Sequence, residues 1–270
     1  MNFYTGKQGS SSAGQAIRVS DDRIWRAFFI GIAFVAILQI CFPLSTYAAS
    51  AAVPEKFIYD LRWTGIKAGK ASLELKNDGD QVKILSTAQS ASWVSVFYTV
   101  EDRAESTLVR KSPEMDLQPS QYKLKIREGR HRRDKEILFD HDKNMAIYID
   151  HLKNERKHVE ITLPVFDPLS GFYYLRSLEL SVGQPVYITI FDSKKVWNVE
   201  VQVLRKEKIT LPAGAVNTVL VKPLMKSEGI FYRKGEIFVW LTDDEKHIPV
   251  KMQTKVAIGS ITATLVKGLY

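Results

Sequence analysis

Alternation with a period of two residues runs through almost the whole chain after its first fifty positions. In Phe57-Ile58-Tyr59-Asp60-Leu61-Arg62-Trp63 every second residue is large and apolar. Successive side chains of an extended strand point to opposite faces, so the pattern predicts strands with one face buried and one wet. The same period recurs in AGKASLEL, QVKILSTA, QYKLKIRE, KEILFD, MAIYID, HVEITL, PVYITIF, NVEVQVL, NTVLVKPL, EIFVWL, PVKMQT and SITATL. Turn chemistry separates them at Asn77-Asp78-Gly79-Asp80, Glu128-Gly129-Arg130, His141-Asp142-Lys143-Asn144 and Leu211-Pro212-Ala213-Gly214. Short strands in such number, with hardly a helix among them, predict a mainly β protein: one antiparallel sheet curled into a barrel, half-barrel or roll. No linker or composition shift interrupts the stretch from Pro54 to Tyr270, which predicts a single β-rich domain over residues 52–270. Gly69 and Gly259 sit early in two of the predicted strands and read as bulges or close backbone approaches.

One segment breaks the period. In FDPLSGFYYLRSLEL, Phe166 to Leu180, Asp167 is a good N-cap and Pro168 occupies the first helical position, where its missing N–H costs nothing. On a helix Leu169, Phe172, Tyr173 and Leu180 share one stripe, Tyr174, Leu175 and Leu178 cover much of the rest, and Ser170, Ser177 and Glu179 are left for water. A helix apolar nearly all round is buried on several sides, and a curled sheet offers its concave side. Arg176 projects from that stripe, where a guanidinium needs a partner. Either a carboxylate of the protein meets it, with Asp243 or Asp244 at the end of the Trp240 strand as first candidates, or the anionic head of a bound ligand does, its tail lying along Phe172 and Tyr173.

The first fifty residues have a different character. Arg18, Arg23 and Arg26 precede the apolar run AFFIGIAFVAILQICF, followed by Pro43 and the small residues of STYAASAA. This is the pattern of a secretory signal peptide over residues 1–51, cleaved between Ala48 and Ala51; the alternative is an uncleaved anchor, for which roughly 20 apolar residues are the usual length. Cys41, the sole cysteine, follows Leu38-Gln39-Ile40, too bulky for a lipoprotein processing site. Cleavage leaves a chain without thiol catalysis, cysteine-ligated zinc or disulfides. It also takes four of the 38 basic and two of the 30 acidic side chains, leaving 34 against 28. In the periplasm, the localisation this predicts, such a balance favours anionic envelope components over nucleic acid.

Enzyme-like constellations are few. Trp240-Leu241-Thr242-Asp243-Asp244-Glu245-Lys246-His247 places two carboxylates and a histidine together, as a cation or acid–base site would, yet the stretch from Thr242 to His247 also reads as a polar hairpin before Ile248-Pro249-Val250. Ser120-Gln121-Tyr122-Lys123 matches a Ser-x-x-Lys pairing that requires a helix, and here it lies in an alternating strand. His131, His141, His151 and His158 fall in or near turns without ligand spacing and read as solvated. The basic run KLKIREGRHRRDK, Lys123 to Lys135, reads either as a site for anionic envelope polymers or as the wet face of a hairpin turning at Gly129.

Tyr59-x-Leu61-x-Trp63 with Ala68-Gly69, the Phe172-Tyr173-Tyr174-Leu175-Arg176 helix, Pro212-Ala213-Gly214, and Trp240-Leu241-Thr242-Asp243-Asp244 through Ile248-Pro249-Val250 together resemble the bacterial envelope family catalogued as domain of unknown function 3108. That resemblance implies an exported, β-rich periplasmic protein and supplies no catalytic residues. The expectation is a non-catalytic, cofactor-free envelope-maintenance protein that binds an apolar or lipid-like envelope molecule or a protein partner. The alternatives are a hydrolase acting on an envelope polymer through Asp243, Asp244 or His247, and a purely structural scaffold.

Overall fold

The alternating segments hydrogen-bond to one another in chain order. In the computed structural model the described residues are 54–110, 117–224, 236–255 and 259–269, all within a unit spanning Ala49–Tyr270. The predicted signal peptide, with Cys41, lies outside the described residues. The first eight strands are β1 (Glu55–Trp63), β2 (Ile66–Asp78), β3 (Gln81–Ser90), β4 (Glu101–Val109), β5 (Gln118–Glu128), β6 (His131–Asp140), β7 (Met145–Asp150) and β8 (Glu155–Glu160). The next six are β9 (Val186–Asp192), β10 (Lys195–Leu211), β11 (Gly214–Leu224), β12 (Ile237–Thr242), β13 (Pro249–Lys255) and β14 (Ser260–Leu269). Two helices accompany them among the described residues, α1 (Ser92–Ser95) and α2 (Pro168–Ser177).

All fourteen strands form one sheet in the order β8-β7-β6-β5-β4-β3-β2-β1-β14-β13-β12-β11-β10-β9. Consecutive strands pair antiparallel except β8 and β9, β1 pairs with β14, and β8 and β9 are the two free edges. The sheet curls until these edges approach, and contacts other than a strand ladder span the seam. Lys194, after β9, reaches Glu155 of β8 at 2.6 Å, and Phe191 of β9 meets Phe139 of β6 edge-on at 6.2 Å between centroids. Phe166, just ahead of α2, makes a parallel bridge to Ile190, donating to the Thr189 carbonyl at 2.9 Å and accepting from Phe191 N at 2.8 Å. The result is an antiparallel barrel-like sheet that hydrogen bonds do not close.

Burial follows the period. Phe57 and Tyr59 of β1, Leu73 and Leu75 of β2, and Val82 and Ile84 of β3 face one core cluster, while Tyr122, Leu124 and Ile126 of β5 face another with Phe191. Strands β11 and β12 are buried on both faces, which explains their continuous apolar runs: Val219, Val221, Val239 and Leu241 join the cluster around Leu175, and Leu220 and Trp240 point the other way into the first cluster. Helix α2 stands where the three clusters meet, through Leu169, Phe172, Tyr173 and Leu175, filling the concave side. It ends three residues earlier than Leu180, which is nevertheless buried.

Gly69 is forced by geometry. The β1–β2 register shifts between Leu61 and Arg62, leaving Ala68 as the extra residue of a bulge, and a Cβ on Gly69 would fall 2.2 Å from the Gln89 carbonyl oxygen. At Gly259 the backbone has φ +81° and a Cβ would meet the Thr64 hydroxyl at 2.1 Å. The segment preceding Gly259, residues 256–258, lies outside the described residues.

Candidate functional site

Arg176 is the charged group that α2 carries inward. It is 7% exposed, and its guanidinium stacks over the Tyr173 ring at 4.8 Å and stands 5.7 Å from the centre of Phe57. Its carboxylate is Glu55, at the start of β1. Nη1 and Nη2 donate to the two oxygens of Glu55 at 2.8 Å each, a bidentate fork. Nε donates to the His247 carbonyl at 3.0 Å and Nη2 to the Lys246 carbonyl at 3.1 Å. Burial disfavours the cation, but the Glu55 bonds and charge outweigh it, and the guanidinium's pKa is pushed up. Burial likewise pushes the Tyr173 and Tyr59 hydroxyls up; the Tyr59 hydroxyl donates to the Pro249 carbonyl at 2.8 Å.

The expectation that Asp243 or Asp244 meets Arg176 is therefore corrected. Asp243 pairs with Lys206 at 2.8 Å. Asp244 organises its own hairpin: Oδ1 accepts from the Thr242 hydroxyl at 2.7 Å, Lys246 N at 3.0 Å and His247 N at 3.2 Å. That turn aims the Lys246 and His247 carbonyls at Arg176, and His247 Nδ1 sits 2.8 Å from the Arg176 carbonyl. The hairpin thus joins the site through its backbone. Trp240 shares the first cluster with Phe172 and Tyr173, but its Nε1 donates to Glu207 at 2.7 Å and Lys251 Nζ stands 4.3 Å above its ring. Phe172 and Tyr173 are partly buried and pack against the first cluster, ring edge to face at 6.4 Å. Glu55 carries no local sequence signal, because it stands 121 residues from Arg176.

A second buried polar group was legible only in part. Asp167, read from sequence as an N-cap, is 0% exposed. Oδ1 accepts from Leu169 N and Ser170 N, and Oδ2 from the hydroxyls of Ser170 at 2.7 Å and Ser106 at 2.6 Å. Burial raises its pKa against the pull of these bonds. Ser106 belongs to β4, a strand that alternation did not predict. The strand begins with Glu101, Asp102 and Arg103 and buries polar Ser106 and Thr107 ahead of Leu108, so its buried positions are only partly apolar.

The remaining candidates resolve into surface structure. Ser120 donates to the Thr107 carbonyl at 3.1 Å from within β5, while Lys123 points to water. In the basic run Tyr122, Leu124 and Ile126 are buried and Lys123, Lys125 and Arg127 exposed, with Lys125 and Arg127 paired to Asp134 and Glu101. The solvated reading of the histidines holds for exposed His158. It fails for His141, whose Nε2 lies 2.6 Å from the Pro119 carbonyl and whose ring stacks on Phe139; His151 is exposed as expected and meets Glu136 at 3.1 Å. Among the described residues no cluster of His, Cys, Asp and Glu has metal-holding geometry. The two best-formed depressions, of about 350 and 360 Å³, are open grooves on the surface, the first beside His141 and the second beside Phe97 and Gly129.

This architecture has a solved counterpart. A β-barrel-like protein of domain of unknown function DUF1849 from Brucella abortus superposes with a TM-score of 0.52, over 80% of this chain and 97% of that one, at 13% identity. At that identity the likeness is one of fold alone. No curated protein matches the chain. The family model described as a protein of unknown function, DUF3108, covers residues 58–266 and so takes in nearly the entire sheet, α2 and the 242–247 hairpin; the chain belongs to that family.

Proposed function

We propose that the protein is an exported, non-catalytic component of the cell envelope that works by binding at its surface, engaging a lipid-like molecule or a protein partner in envelope maintenance. One observation carries this reading: the two charged groups that α2 and its N-cap bring inside the barrel are consumed by the fold itself. Arg176 is occupied by Glu55 and two backbone carbonyls, and Asp167 by two backbone amides and two hydroxyls. Aromatic residues that would line a carrier's cavity, Phe172 and Tyr173, are packed against the first cluster. An interior filled in this way supports surface binding or scaffolding over internal carriage.

The test is complementation. A strain lacking the protein is scored for sensitivity to detergent and large antibiotics, then supplied with the Asp243→Ala/His247→Ala variant. Full complementation is expected. Failure of a variant that melts like the wild type would transfer the reading to a hydrolase built on that hairpin.

A further inference from the structure

The end of the barrel where β1 turns into β2, β3 into β4 and β5 into β6 carries an apolar surface that the fold does not use. Val96 is 86% exposed, Phe97 63% and Ile66 62%, with Trp93 and Tyr98 exposed beside them. Single exposed apolar residues are ordinary, but these adjoin one another. The Trp93 and Phe97 rings lie 5.9 Å apart, and Trp93 Nε1 donates to the carbonyl of Lys67, next to Ile66. Tyr98 lies against Gly129, where a Cβ would come within 2.7 Å of its ring.

The loop that presents them is anchored on all sides. Ala91 N donates to the Ala68 carbonyl at 2.7 Å, Gly129 N to the Thr99 carbonyl at 2.8 Å, the hydroxyls of Ser90 and Ser95 are 2.7 Å apart, and Val94 is buried beneath. Such a platform holds its apolar side chains outward where a slack loop would fold them in. Positive charge rims it. Arg62 donates to the Gly65 carbonyl and Arg132 to the carbonyls of Gly129 and His131, so their charge meets backbone in place of carboxylate. Arg130 stands exposed beside Phe97 and Tyr98, and Lys67 and Arg127 are paired with Asp60 and Glu101.

We propose that this end docks on the surface of an anionic lipid bilayer, with Trp93, Val96 and Phe97 entering the boundary between headgroups and acyl chains and the arginines meeting lipid phosphates. Tryptophan and tyrosine suit that depth, because an apolar body joins a polar tip, and cationic neighbours add attraction to phosphate. The proposal rests on the envelope reading only for bringing a membrane within reach, and the experiment below runs without a cell.

The chain from Ala52 onward, which has no cysteine of its own, carries an environment-sensitive NBD dye on Val96→Cys, or on Asp80→Cys in the β2–β3 turn as a control. Each is mixed with vesicles of phosphatidylglycerol and phosphatidylethanolamine. A blue shift at position 96 and none at position 80 is expected. Adding Phe97→Ser should weaken the partition by roughly tenfold or more, and Arg130→Gln and Arg132→Gln by about fivefold each. A dye at position 96 that stays in water, equal shifts at both positions, or undiminished binding to purely zwitterionic vesicles overturns the proposal. So does a shift that appears without lipid as protein concentration rises, which would make the patch a protein contact. None of these outcomes bears on complementation, so failure here and failure of the envelope reading are separable.

Discussion

Replacing Arg176 by Met keeps the length of the side chain and deletes its charge. The structure fixes what is left behind: a Glu55 side chain only 14% exposed, with both oxygens deprived of donors, and the carbonyls of Lys246 and His247 without their guanidinium. Removing one partner of a buried pair strands the other, at about 3–5 kcal/mol. Losing the stack on Tyr173, with its ring centre 4.8 Å away, acts in the same direction. Replacing both partners is a different perturbation, because no buried charge is orphaned. The double variant Glu55→Leu/Arg176→Met should therefore recover much of the loss, and a double-mutant cycle should report strong coupling. Urea melts followed by tryptophan fluorescence measure all four proteins. If Arg176→Met melts within about 0.5 kcal/mol of the wild type, the guanidinium is not held as described and its charge serves something outside the chain.

Three other outcomes are expected. Asp167 ionises in the folded protein at a higher pH than in the unfolded chain, where the value is about 3.9; as pH rises the unfolded chain therefore loses its proton first, and stability falls until the folded carboxyl has ionised too. Asp167→Asn should flatten that decline between pH 4 and neutrality relative to the wild type, and parallel stability curves for the two proteins would refute the assignment. Gly69→Ala should destabilise by about 1–3 kcal/mol, because the new Cβ meets the Gln89 backbone oxygen; an unchanged melting midpoint would show that the bulge yields freely. Asp244→Ala should cost about 1–2 kcal/mol through the lost hairpin bonds, whereas Asp243→Ala, which breaks only a half-exposed pair with Lys206, should stay within about 0.5 kcal/mol, and the reverse order in denaturant melts would sink the account of that turn.

Much of the architecture was legible because one face of most strands is apolar and the other is not. Phe57 and Tyr59, or Tyr122, Leu124 and Ile126, announce their strands by period alone, and the α2 start is written in Asp167-Pro168. The strand that escaped, β4, escaped for a physical reason. Its inward Ser106 is spent on the Asp167 carboxylate, so polarity sits where the pattern needs a hydrophobe. The apolar pattern HVEITL begins three residues into β8, which runs Glu155–Glu160 with mostly exposed residues. The demand that Arg176 be partnered followed from burial, but the partner's identity depended on the pairing of β1 and the curl of the sheet. Neither leaves a local trace at Glu55. The 91–100 loop was missed altogether, because exposed aromatics carry no periodic signal.

The meander has its free edges in mid-chain and joins β1 to β14 in the body of the sheet, with Tyr59 opposite Leu265. During synthesis β1 is the first of the fourteen strands to emerge, and one of its two ladders waits for the last. Strands β1 to β8 can zip locally, each to the one before, but β1 then presents an unpaired edge until β14 arrives, some two hundred residues later. An edge exposed for that long is a template for pairing with the wrong chain, and closure of so distant a contact is slow. Shortening the chain ahead of Ser260 would make that transient edge permanent, so loss of the last strand should send the protein toward aggregates even though most of the core residues remain.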